Sequence, residues 1–190
     1  GAQTIFGVTP DLATFGKAMG NGFPIACVLG RRDVMEIYED IFFSFTLGGE
    51  VASLAAALKV IEILEKTDAL AKMEANGRRL QDGFNTLARH AGLADRFTCI
   101  GQPTWSLLKF RNAEGADSLL ERSLFSQEII KRGILLLVTH NMTAAHDNAS
   151  VERTLDAYAS IFKTLAGWLG EASPARFLEG QMIQSVFRVR

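Results

Sequence analysis

Lys17 is set between two small residues in Phe15-Gly16-Lys17-Ala18-Met19, just ahead of the turn-forming run Gly20-Asn21-Gly22-Phe23-Pro24. Gly16 and Ala18 leave open volume around the ammonium. A lysine in such a pocket loses its proton more easily than one in water, and the free amine attacks an aldehyde to give a Schiff base. Two phosphate motifs are absent. A P-loop needs Ser or Thr after the lysine, where this chain has Ala18, and a dinucleotide fingerprint needs a third glycine at the position of Ile25. A lysine beside glycines is most often merely solvated, so the wider pattern has to carry the reading.

A second candidate is Thr46, in Phe43-Ser44-Phe45-Thr46-Leu47-Gly48-Gly49-Glu50. It stands just before a predicted helix over residues 49–66, on which Val51, Leu54, Ala55, Leu58 and Ile61 follow helical spacing. The free amides and positive dipole end of that helix could face an anion, which gives a physical reason for phosphate at Thr46. Helix capping by Ser44 or Thr46 is the commoner role for such residues. No metal site is expected. His140 and His146 flank a predicted loop without neighbouring cysteines or i, i+4 spacing, and Cys27 and Cys99 read as small buried hydrophobes in strands.

The remaining elements follow from periodicity and turn residues. A strand at Thr4-Ile5-Phe6 and a turn over residues 7–10 lead into a strand over residues 11–15, and residues 25–29 form its neighbour. Asp33 is expected to cap a helix over residues 34–38. A long helix over residues 69–91 carries Leu70, Met73, Leu80, Phe84, Leu87 and Ala91 on one stripe. Gly77 lies on that stripe as a close-packing position, and Gly92 stops the helix. Strands over residues 96–100 and 105–111, a helix over residues 118–132, a buried strand over residues 134–138, a loop over residues 139–148 and a helix over residues 151–169 complete the chain. That β-β-α-β-α order predicts an α+β domain with helices on one face of a mostly antiparallel sheet. Trp105 and Trp168 are expected in its core.

The 190 residues are 48% hydrophobic and 22% charged with a formal net charge of −1, which predicts an ordered globular protein rather than a disordered chain. Charges of both signs are interspersed, so neither nucleic acid nor another polyanion is an expected partner. No apolar run is long enough to cross a bilayer, and a cytoplasmic location is expected.

The runs Thr9-Pro10-Asp11-Leu12, Phe15-Gly16-Lys17-Ala18, Gly22-Phe23-Pro24-Ile25-Ala26 and Gly30-Arg31-Arg32 together resemble the cofactor-lysine region of the class III aminotransferases, closest to the glutamate-1-semialdehyde aminomutase-like branch. Residues 43–50 are similar to the family's second signature, and weaker similarity reaches Val186-Phe187-Arg188-Val189-Arg190. Asn21 departs from the family at a usual glycine, and Phe45 at another. The resemblance implies an α/β fold of the fold type I pyridoxal-phosphate transferases, with residues 1–66 the C-terminal part of the large domain, 67–92 a connecting helix and 93–190 a small α+β domain. It implies that Lys17 carries pyridoxal 5′-phosphate as a Schiff base and that Thr46 holds the cofactor phosphate of the partner subunit, hence a homodimer acting on a small-molecule amino donor and acceptor. Transamination and aminomutation are the implied reactions, with racemisation, epimerisation or decarboxylation possible on the same scaffold. In the family the cofactor lysine lies past the middle of a chain roughly twice this length. The residues that cradle the phosphate, stack on the ring and pair with its nitrogen have no counterpart here, so these 190 residues alone are expected to be inactive. The rival expectation is a non-catalytic fragment that keeps the fold.

Overall fold

The computed structural model describes residues 1–184, so the run Val186–Arg190 lies outside the described residues. The chain forms two compact units, Gly1–Asp68 and Ala69–Arg190.

In the first unit, α1 (Ala2–Phe6) stands where a strand was expected. Its end is set by Gly7 at φ 64°, which lets a single helical turn close where a strand would need a partner. Strands β1 (Leu12–Phe15) and β2 (Cys27–Gly30) pair antiparallel, from Leu12 opposite Gly30 to Phe15 opposite Cys27. A Cβ on Gly30 would collide with the Asp11 carbonyl, so close approach explains that glycine. The next helix, α2 (Arg32–Met35), is not capped by Asp33. Asp33 sits inside the first turn and pairs with Arg31, which also reaches Asp11 at 2.9 Å. Helix α3 (Val51–Lys66) matches the expected span, but its cap is Glu50 rather than Ser44 or Thr46. Ala57 is the only fully buried hydrophobic side chain among residues 1–68, while Phe6, Phe42, Val51 and Leu58 are among the many left exposed.

The second unit has a well-filled core. Helix α4 (Ala69–His90) places Leu80, Phe84 and Ala88 in it, so residues 67–92, expected as a connection, supply a central element of this unit. A Cβ on Gly77 would overlap the Pro103 carbonyl, which is the close packing its place on the stripe implied. Gly92, at φ 71°, ends the helix, and the Leu93 amide bonds back to the Ala88 carbonyl. Strands β3 (Phe97–Gln102) and β4 (Trp105–Phe110) form a hairpin, followed by α5 (Leu119–Lys131), β5 (Thr139–Asn141) and α6 (Asn148–Leu169). The sheet order is β3-β4-β5, antiparallel throughout. Ser106, Leu108 and Phe110 alternate inward from β4, and the helices meet that face around Phe84, Phe97, Phe125, Tyr158 and Phe162, whose rings pack mostly edge to face.

Two expectations fail here for the same reason. Residues 134–138 are not a strand, and the strand lies at Thr139–Asn141, inside the expected loop. An apolar run becomes a strand only where its backbone finds a partner, and β4 offers Trp105 to Leu107 to residues 139–141. Leu135 and Leu137 are consequently 88% and 73% exposed. Trp105 is exposed too, because it opens β4 on the side away from the helices. Trp168 is partly buried and stacks on Phe177 with ring centroids 4.8 Å apart.

Candidate active site

Lys17 follows β1 by two residues and opens a 3-10 turn, Lys17–Met19. Its side chain is exposed and its φ is 51°. Outside glycine only Lys17 and Asn21, at 47°, take positive φ among the described residues. Such a backbone costs on the order of 1 kcal/mol or more and persists only where the surroundings enforce it. Here a chain of turns does so. The amides of Met19, Gly20 and Asn21 donate to the carbonyls of Gly16, Lys17 and Ala18, and the Phe23 amide donates to the Gly20 carbonyl. A Cβ on Gly20 would come within 2.6 Å of both the Phe23 carbonyl and the Ile25 side chain, so only glycine lets this turn close. Asn21 replaces the usual glycine at a left-handed position, which asparagine tolerates best among the other residues. The Cys27 thiol, 3.6 Å from the Met19 sulfur, ties the turn to β2.

Thr46 lies in a turn over residues 46–49, in which the Gly48 amide donates to the Phe45 carbonyl. Phe45 keeps an ordinary negative φ, so this departure from glycine imposes no backbone strain. Its ring meets Phe43 edge-on, and Phe43 meets Tyr38, which anchors the turn from one side. Glu50 anchors the other side, its carboxylate accepting from the amides of Ala52 at 2.9 Å and Ser53 at 2.6 Å. The Glu50 carboxylate takes the Ala52 and Ser53 amides at the open end of α3, the end that the sequence reading set beside a phosphate at Thr46. The Thr46 hydroxyl and the amides of Thr46, Leu47 and Gly49 make no hydrogen bond among the described residues. A hydroxyl and three free amides suit a phosphate by donor type. Helix α3 packs beside the Lys17 turn, but no hydrogen bond joins Lys17 to Thr46.

The histidines expected to be poor metal ligands have other partners. His140 Nδ1 lies 2.7 Å from the Ser106 hydroxyl and Nε2 lies 2.6 Å from the Tyr158 hydroxyl, with the Cys99 thiol at 3.7 Å. Burial pushes the imidazole pKa down to about 4 and pushes the Cys99 thiol and the Tyr158 phenol up. His146 Nδ1 accepts from the Thr143 amide at 3.0 Å.

The family model for aminotransferase class-III matches residues 1–96, just over half of the chain, with Lys17 and Thr46 inside the match. The chain belongs to the class-III aminotransferases. Over 160 residues it is 32% identical to the 3-aminobutyryl-CoA aminotransferase of Cloacimonas acidaminovorans, covering 83% of this chain and 38% of that protein. Over 176 residues it is 31% identical to the glutamate-1-semialdehyde 2,1-aminomutase of Methanococcoides burtonii, covering 84% and 40%. Among solved structures it resembles the pyridoxal-phosphate internal aldimine form of the Sphingopyxis sp. MTA144 FumI protein, with a TM-score of 0.78 and 25% identity over 93% of this chain and 42% of that one. An omega-transaminase from Sphaerobacter thermophilus shares the fold with a TM-score of 0.72 and 22% identity, over 86% and 40%. The fold is the α/β fold type I of pyridoxal-phosphate enzymes. The chain spans about two fifths of the length of these relatives.

Proposed function

We propose that the protein carrying this chain is a pyridoxal-phosphate-dependent aminotransferase or aminomutase acting on an amino/keto or amino-aldehyde substrate. The observation that carries this reading is Lys17 itself, a nucleophilic side chain held in a left-handed backbone at a strand end, inside the class-III match. Lys17 Nζ would be the point of covalent attachment, released when the substrate amine takes its place. Freed, the same amine is a base of the right reach to carry a proton from the substrate α-carbon and return it one position away. Pyridoxal phosphate, when bound, supplies the electron sink for that proton transfer. The Thr46 hydroxyl and the free amides of its turn would hold the phosphate, in a homodimer from the partner's side. A soluble cytoplasmic enzyme with a small-molecule amino donor and acceptor follows from this reading.

A second reading is favoured by one observation: residues 1–68 bury almost no apolar side chain of their own, as in a fragment that keeps the fold without a complete site. Borohydride reduction of the pyridoxal-phosphate-treated protein separates the two. The added mass should lie on the peptide that contains Lys17. Label on another lysine, or on none, would refute the active-site reading.

A further inference from the structure

A cavity of about 310 Å³ opens in the second unit between the start of α6 and residues 134–142. Leu80, Ile134, Leu136, Met142 and Val151 give it an apolar wall, and its lining among the described residues has no Asp, Glu, Lys or Arg side chain. The hydrogen count at Tyr158, which also lines it, leaves one donor unused. His140 is neutral, since burial pushes its pKa down to about 4, so its ring carries a single N–H. Its Nδ1 is flanked by the Ser106 hydroxyl at 2.7 Å and the Cys99 thiol at 3.7 Å, both able to donate, and a thiol is a weak acceptor. Nδ1 is therefore the acceptor, and Nε2–H donates to the Tyr158 oxygen at 2.6 Å. That leaves the Tyr158 O–H, on a side chain with 0% exposure, without an acceptor among the described residues. His146 adds a donor at the exposed side of the cavity. Its Nδ1 accepts from the Thr143 amide, so its ring hydrogen is on Nε2, and no described residue receives it.

Buried donors are rarely left unused without a reason. An apolar cavity with a few convergent donors and no charge suits a neutral molecule that has an apolar body and offers an oxygen acceptor. A carboxylate would bring a charge that nothing in the lining compensates, beside the α6 start that the Asp147 carboxylate already caps. We infer that this cavity binds a small neutral carbonyl compound, whose oxygen accepts from the Tyr158 O–H and whose hydrocarbon part lies against the apolar wall. Leu135 and Leu137, both exposed, extend that wall at the rim. The site lies wholly within the second unit and uses neither Lys17 nor Thr46, so it stands independently of the cofactor reading.

Cyclohexanone is the probe, titrated into the 190-residue chain while the amide resonances of Asn141, Met142 and Val151 are followed, with cyclohexanecarboxylate as the charged comparison. Cyclohexanone should give saturable shifts confined to residues around the cavity, and cyclohexanecarboxylate should bind at least about tenfold more weakly, because its charge has no partner there. Tyr158→Phe keeps the shape of the cavity and removes the donor. It should weaken cyclohexanone binding about tenfold, the effect of leaving a buried carbonyl unpaired. Thr154→Leu fills the cavity from the α6 side and should abolish binding with little change in the urea midpoint. Where Tyr158→Phe fails to fold, Thr154→Leu and the carboxylate comparison decide. No saturable response to cyclohexanone would mean that water alone fills the cavity, and would overturn the inference. So would a carboxylate that binds as tightly as the ketone, or binding indifferent to both variants.

Discussion

Acidification should destabilise the second unit through His140, by an amount the structure lets one work out. The imidazole is enclosed by Ser106 on β4, Cys99 on β3 and Tyr158 on α6, and no carboxylate among the described residues pairs with it. Its pKa falls from an ordinary 6.5 to about 4 because burial penalises the charged ring. A base with a depressed folded-state pKa contributes its full stability above the unfolded value. That stability is lost as pH falls from 6.5 toward 4, where the unfolded chain binds the proton and the folded chain does not. At about 1.4 kcal/mol per pH unit the loss is on the order of 3 kcal/mol, a large share of the 5 to 15 kcal/mol typical of a domain. Urea unfolding between pH 7 and pH 4, read by near-ultraviolet circular dichroism of the aromatic core, measures the slope. His140→Gln removes the titration, and although it changes stability at pH 7, it should flatten the dependence relative to the unchanged chain across that window. An imidazole resonance of His140 that titrates near 6.5 in the folded protein, or equal slopes for the two proteins, would refute the argument.

Gly77→Ala should cost on the order of 1 to 3 kcal/mol, because its Cβ meets the backbone carbonyl of Pro103 rather than a side chain able to move; a thermal shift near zero would show that the hairpin turn yields. Arg96→Ala should destabilise by about 3 to 5 kcal/mol, since it strands the Glu121 carboxylate, 2% exposed and otherwise paired with Ser118, and a denaturant midpoint within error of the unchanged chain would contradict this. The 190-residue chain should bind pyridoxal phosphate at least tenfold more weakly than a complete class-III enzyme, as each lost charge-assisted phosphate contact is worth about 1.5 to 3 kcal/mol; comparable affinity in a spectrophotometric titration would show that the cofactor site is whole within these residues.

What the sequence determined was what depends on near neighbours along the chain. Helical spacing on α4 identified Leu80 and Phe84 as buried, although Leu70 on the same stripe is exposed, Gly92 announced the end of α4, and Gly77 announced a close approach before its partner Pro103 was known. The Lys17 motif was legible because a glycine-bracketed turn leaves its mark in consecutive residues, and the left-handed backbone at Asn21 explains how that turn survives the loss of a glycine. The tertiary structure decided whatever needed a distant partner. Residues 134–138 have the composition of a strand, but the pairing surface of β4 fell to residues 139–141. Glu50 escaped notice because a helix cap is ordinarily sought among Ser, Thr, Asp and Asn, and only its bond geometry reveals it. Ser106, His140 and Tyr158 come from three elements, and nothing in their spacing announces that folding joins them. Local periodicity and turn chemistry are written in neighbouring residues, whereas strand partners, caps by unusual residues and buried polar networks exist only once separate segments have met.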